Sequence, residues 1–184
     1  MKKLFLTLLF IGAFITSVDA QSKPSENSFI KDKISINIGG GYQHLMSFYN
    51  AHAISGEALY GLNNWLEVGA VTTLNTGEVP IFCYPKHSGN RINIFNYGIK
   101  GKIHFLPLIV NPSFYRVDIY GNIEVGAQSV FFGKSLNLDN RTLFSFNAGG
   151  GIGFNFNKFF GIFYECNYSN INKLNHRYGF MFRF

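Results

Sequence analysis

Acyl-group chemistry needs a nucleophile or a polarised hydroxyl, a base, and a cleft that lipid can reach. Two sets of residues in this chain have suitable types: His44 with Ser47, and His176 with Ser169 and Glu165. Neither set forms a specific motif, and unpaired Ser and His are common near loops. Metal binding is the other chemistry to weigh. His44, His52, His87 and His176 fall at or near loops expected at one end of the molecule, where they could converge. No His-x-x-His or His-x-x-x-His pair occurs, however, and no carboxylate cluster lies beside them in sequence. No catalytic, metal or cofactor residue is assigned on these grounds.

The charged residues follow a sharper rule. From Phe95 to Phe105 one alternate set is apolar, and the other, with Lys100 and Lys102, is polar or glycine. The rule holds from Tyr115 to Val125, where Arg116, Asp118 and Glu124 share a phase, and again from Tyr178 to Phe184. Glu57, Glu67, Glu165, Arg177 and Arg183 take the same phase of their own segments. A period of two means strands with one polar and one apolar face. Eight are expected, at about 33–45, 52–60, 65–74, 91–105, 113–128, 141–154, 159–168 and 173–184. Residues 61–64 and 155–158 read as tight turns, and 75–90 and 129–140 as long polar loops. Pro107 and Pro112 hold the 106–112 connection open.

The first residues read as a cleaved signal peptide, 1–20: Lys2 and Lys3, an apolar run over 4–16, then small residues at Val18-Asp19-Ala20. Residues 21–32 are polar and read as a flexible leader, and 33–184 as one domain. Aromatic residues make up 17% of the chain and charged residues only 14%, against about 25% charged in a typical soluble domain. So much Phe needs an apolar exterior, an apolar cavity, or both. No segment after residue 20 has the continuous apolar length of a transmembrane helix. A closed β-barrel is the other structure that satisfies every backbone group in lipid. The net charge is +6, or +5 without Lys2, Lys3 and Asp19, and it is dispersed. Nucleic-acid binding, which needs clustered Lys and Arg, is not expected. Cys83 falls in a loop and Cys166 on the apolar phase of a strand, so a disulfide between them is not expected.

Alternation alone does not say which face points outward. A soluble periplasmic carrier would keep its greasy face inside around an apolar ligand; a membrane barrel does the reverse. Gly39, Gly41, Gly69, Gly98, Gly149, Gly151 and Gly153 share the polar phase, which suits a narrow lumen better than a solvated exterior. Charges inside such a lumen must pair. Tyr42, Tyr97 and Tyr168 fall near the expected outer ends, and Tyr60, Phe105, Tyr115 and Phe184 near the inner ends, as two aromatic girdles would. The expectation is therefore all-β: an eight-stranded antiparallel up-and-down transmembrane β-barrel. Glu57, Glu67, Lys100, Lys102, Arg116, Asp118, Glu124, Glu165 and Arg177 are expected to form a structural charge network in its lumen.

These segments, the export signal, the glycine-rich sixth strand and the terminal Tyr178-x-Phe180-x-Phe182-x-Phe184 resemble the small outer-membrane β-barrel superfamily of Gram-negative bacteria. The resemblance implies an outer-membrane location and outer-membrane lipids as partners. It also implies the insertion machinery as a transient partner, with Tyr178, Phe180, Phe182 and Phe184 as the C-terminal insertion signal. Under it the leading expectation is a non-enzymatic barrel with a structural or interaction role. Loops 75–90 and 129–140 would then meet an envelope protein or a host surface. A lipid A-modifying acyltransferase or deacylase of the same architecture is the alternative.

Overall fold

The computed structural model describes residues 28–45, 49–78, 91–109, 113–132, 139–171 and 173–184. Eight antiparallel strands close into one barrel in chain order. They are β1 (Ile34–Leu45), β2 (Tyr49–Gly61), β3 (Leu66–Glu78), β4 (Arg91–His104), β5 (Val117–Phe132), β6 (Arg141–Asn155), β7 (Phe160–Ser169) and β8 (Lys173–Arg183). One helical turn, α1 (Leu106–Ile109), joins β4 to β5. The seam is β1 against β8, where Ile34 and Phe184 exchange backbone hydrogen bonds of 3.0 and 2.9 Å. We call the end that carries this pair the inner end and the opposite one the outer end.

The alternation sets the sides. Ile54 is 69% exposed, Phe144 65% and Ile99 64%, while Lys100, Glu67, Asp118 and Glu165 are fully buried. The apolar face of the sheet is thus the outside and the charged face lines the axis. A soluble carrier barrel would need the opposite arrangement. The few large apolar side chains on the lumen side, such as Leu59, Ile94, Tyr120, Phe163 and Met181, fill space between the polar groups. An eight-stranded lumen is just wide enough for side chains.

Several expected boundaries move. β3 runs on to Glu78 and β5 to Phe132, so the first four residues of both expected loops are strand. Phe131 and Phe132 pair with Asn93 and Ile92 instead of standing free. The remainder, residues 79–90 and 133–138, lies outside the described residues, as do the signal peptide, residues 21–27, Ser47, Cys83 and His87. β5 begins at Val117, four residues later than expected.

The last part of the expected flexible leader is not a leader. Phe29 and Ile30 are buried with Tyr115 in an apolar cluster, flanked by Leu106 and Phe114. Phe29 meets Tyr115 edge-on at 4.6 Å. Asp32 takes a left-handed φ of 62°, and its N–H donates to the Gly61 carbonyl at 2.9 Å. Gly61 is needed here, because a Cβ on it would run into the Ile30 carbonyl. The segment 28–33 is a short turn tucked into the inner end. Tyr115 belongs to this closure, at 6% exposure, and not to the lipid-facing girdle expected at the inner end.

Candidate functional site: a charge network sealed in the lumen

Strand register builds the network. Lys100 on β4 is directly opposite Glu124 on β5, and Glu165 on β7 is opposite Arg177 on β8. Asn37 on β1 is opposite Glu57 on β2. Each pair points inward because the period of two puts the polar phase there. Closure then brings pairs from opposite walls together. Lys100 Nζ lies 2.5 Å from Glu57 Oε1, 2.7 Å from Glu165 Oε2 and 3.4 Å from Glu124 Oε1. Arg177 reaches Glu57 at 3.2 Å and Glu165 at 3.4 Å, and also binds Glu124. Lys102 lies 3.2 Å from Glu165 and 4.2 Å from the centre of the Tyr120 ring. Tyr120 donates to Glu165 at 3.1 Å. Its ring lies across Gly151, where a Cβ would come within 2.6 Å of it. Asn37 and Asn147 donate to the Oε2 atoms of Glu57 and Glu124.

A second tier sits below. His104 Nδ1 is 2.8 Å from Asp118 and its Nε2 is 3.0 Å from Glu67. Both ring nitrogens face carboxylates, and both can donate only from the protonated ring. Ser35 donates to Glu67 at 2.6 Å, and the Arg183 Nε donates to Ser35 at 3.1 Å. The guanidinium of Arg183 then stacks on Phe29 at 4.3 Å, joining the ionic tiers to the apolar closure beneath. In these tiers five carboxylates face Lys100, Lys102, Arg177, Arg183 and His104, so the lumen is neutral when that histidine is charged.

Of the expected network, Glu57, Glu67, Lys100, Lys102, Asp118, Glu124, Glu165 and Arg177 converge inside. Arg116 does not. It has the right phase, but it lies before the start of β5 and its side chain is exposed. The sequence pattern placed Arg183 on the charged phase without joining it to the network, and His104 was passed over. Both occupy the inward phase at strand ends, and that phase was the available signal.

The arrangement limits the chemistry. Glu57, Glu124 and Glu165 cluster closely enough to resemble a metal-binding triad, but Lys100 and Arg177 already bind all three. Above this tier is a cavity of about 20 Å³, lined by polar groups including Thr73, Asn96, Ser145, Asn147 and Asn175. That is room for a water molecule, not for a substrate. The acyl-transfer set His176, Ser169 and Glu165 is split by the wall. Ser169 and Glu165 are buried on the lumen side, while His176 is on the outward phase and bonds Tyr164 at 2.7 Å. The side chains of His44 and Ser47 lie outside the described residues.

No protein-family model matches the sequence. No curated protein sequence matches it either. Solved structures do. The N-terminal β-barrel domain of Pseudomonas aeruginosa OprF superposes with a TM-score of 0.58 at 16% identity, over 84% of this chain and 98% of that one. The fold is that of the small outer-membrane β-barrels. Neisserial surface protein A superposes at 0.59 with 10% identity, over 82% and 94% of the two chains. The attachment invasion locus protein of Yersinia pestis, Ail, solved with the heparin analogue sucrose octasulfate, gives 0.57 at 18% identity, over 84% and 100%. Identities this low carry the fold and nothing finer.

Proposed function

We propose that this chain is a non-enzymatic outer-membrane barrel, with a structural or interaction role carried by its outer loops. The observation that carries this reading is the burial of Lys100 among Glu57, Glu124 and Glu165, inside a wall whose outer face is Ile, Val and Phe. A lumen filled by cross-linked charges acts as a strut. Among the described residues it leaves no passage for solute along the axis. The network Glu57, Glu67, Lys100, Lys102, Asp118, Glu124, Glu165 and Arg177, extended by His104 and Arg183, is on this reading structural.

The remaining parts fit an exported envelope protein. Residues 1–20 serve as the signal peptide. Tyr178, Phe180, Phe182 and Phe184 present the insertion signal to the assembly machinery, and outer-membrane lipids solvate the wall. Loops 75–90 and 129–140, which lie largely outside the described residues, are on this reading the segments that an envelope or host-surface partner would bind. Ail, which shares the fold, is an attachment invasion locus protein solved with a heparin analogue, and the interaction role proposed here is of that broad kind.

Gel migration of the detergent-extracted protein, boiled and unboiled, tests the barrel; the unboiled form should run differently. Mass spectrometry of lipid A with and without expression tests the absence of catalysis. Unchanged acyl chains are expected, and an acyl change lost on His176→Ala would overturn the reading.

A further inference from the structure

Every connection at the inner end carries large apolar side chains that the barrel does not cover. Leu62 is 53% exposed in the turn between β2 and β3. Between β4 and β5, Phe105, Leu108 and Ile109 are 46%, 53% and 83% exposed. Between β6 and β7, Phe156 and Phe159 are 52% and 64% exposed. These groups continue the wall. Phe156 is edge-on to Phe154 at 5.3 Å and stacks on Phe160 at 5.5 Å, and Phe160 stacks on Phe180. The apolar surface therefore runs past the strand ends and onto the turns. Turns that faced water would hold such groups at a loss of roughly 25 cal/mol for each Å² of apolar surface.

Cations stand among these groups. Lys33 joins the Leu62 turn through a backbone bond of 2.9 Å to Gly61. The Arg116 carbonyl accepts from Asn155 at 2.7 Å, beside the turn that holds Lys158. Arg116 and Lys158 are exposed, Lys31 and Lys33 half-buried. Among the described residues none of the four pairs with a carboxylate. Asp32, the one acid on these inner segments, is bonded by Tyr60 at 3.1 Å.

We propose that the inner turns are seated within the inner leaflet and form a docking surface for anionic phospholipid. Leu62, Leu108, Ile109, Phe156 and Phe159 lie at the boundary between headgroup and acyl chain, and Lys33, Arg116 and Lys158 meet lipid phosphates. This rests on the membrane reading above. It goes further by placing the turns at the boundary between headgroup and acyl chain and by naming the lipid charge. It also gives Arg116 a role outside the lumen.

The test uses single-tryptophan variants. Trp65, the only native tryptophan, is replaced by Phe, and Ile109→Trp, Phe159→Trp or Ile99→Trp is added. Each full chain is folded into phosphatidylcholine vesicles containing phosphatidylglycerol. With Ile99→Trp quenched by lipids brominated deep in the acyl chain, Ile109→Trp and Phe159→Trp should be quenched by lipids brominated near the carbonyls and shielded from aqueous iodide. Brominated phosphatidylglycerol should quench Phe159→Trp more than brominated phosphatidylcholine does. Arg116→Glu with Lys158→Glu should abolish that preference, at about fivefold in relative affinity per cation removed. Iodide quenching at both turn positions, with Ile99→Trp still in lipid, overturns this inference and leaves the membrane reading standing. Equal quenching by the two brominated lipids overturns the choice of partner. Iodide quenching at Ile99→Trp as well overturns both readings.

Discussion

At the scale of single residues, burial decides which charges matter. Lys100 shares three buried carboxylates with Arg177. Lys100→Met keeps the bulk and removes the charge, leaving Glu57, Glu124 and Glu165 one cation short beside Arg177. Breaking a buried pair by removing one partner costs about 3–5 kcal/mol, and urea unfolding from lipid vesicles should show a loss of that order. Arg116→Ala, in the same assay with vesicles of phosphatidylcholine alone, should fall within about 0.5 kcal/mol of the native chain, as exposed substitutions do. A large loss at Arg116 would put that side chain back in the lumen. In the sequence these two residues look alike, since both sit on the polar phase of an alternating run. Phase reports the side of a strand. It does not report where the strand stops, and Arg116 lies one residue before β5 begins. His104 escaped notice, and Arg183 was read only as one more residue of the polar phase, for a related reason. Each gains its meaning from a partner on another strand, and those partners depend on register and closure.

At the scale of elements, the strands were the legible part, because half-buried strands repeat every two residues. The long polar loops were read too long, since Thr76, Gly77, Ser129 and Phe132 lack a strong apolar rhythm yet continue their ladders. The inner closure was hidden. Phe29 and Ile30 are only two apolar residues in a polar stretch, too few to show a period. Phe29→Ala should cost about 3–5 kcal/mol, as other buried Phe→Ala changes do, and a loss below about 1 kcal/mol would show that residues 28–33 contribute little. The β1–β8 seam makes a sharper demand. Gly39 pairs with Gly179, and a Cβ on Gly39 would strike the Tyr178 carbonyl and come within 3.1 Å of the Phe163 ring. Gly39→Val should therefore lose the fast-migrating unboiled gel form. Gly101→Ala, where an added Cβ meets nothing within 4 Å, should keep it. Equal behaviour of the two variants would contradict the close approach at the seam.

At the scale of the whole molecule, the account comes down to a sheet turned inside out relative to a soluble barrel. Hydrocarbon-facing Ile, Val and Phe hold it in lipid, paired charges replace a hydrophobic core, and residues 28–33 close the inner end. Planar bilayers containing the purified barrel should show no steady ion conductance, because the lumen has room for little more than water. The central claim, that the apolar face touches lipid, is most directly tested by spin labels at Ile99, Ile119 and Ile152, placed in a Cys83→Ser, Cys166→Ser background and folded into bilayers. The account predicts high collision rates with dissolved oxygen and low rates with a water-soluble nickel complex at all three positions. High nickel accessibility there, in protein that is folded, would contradict it.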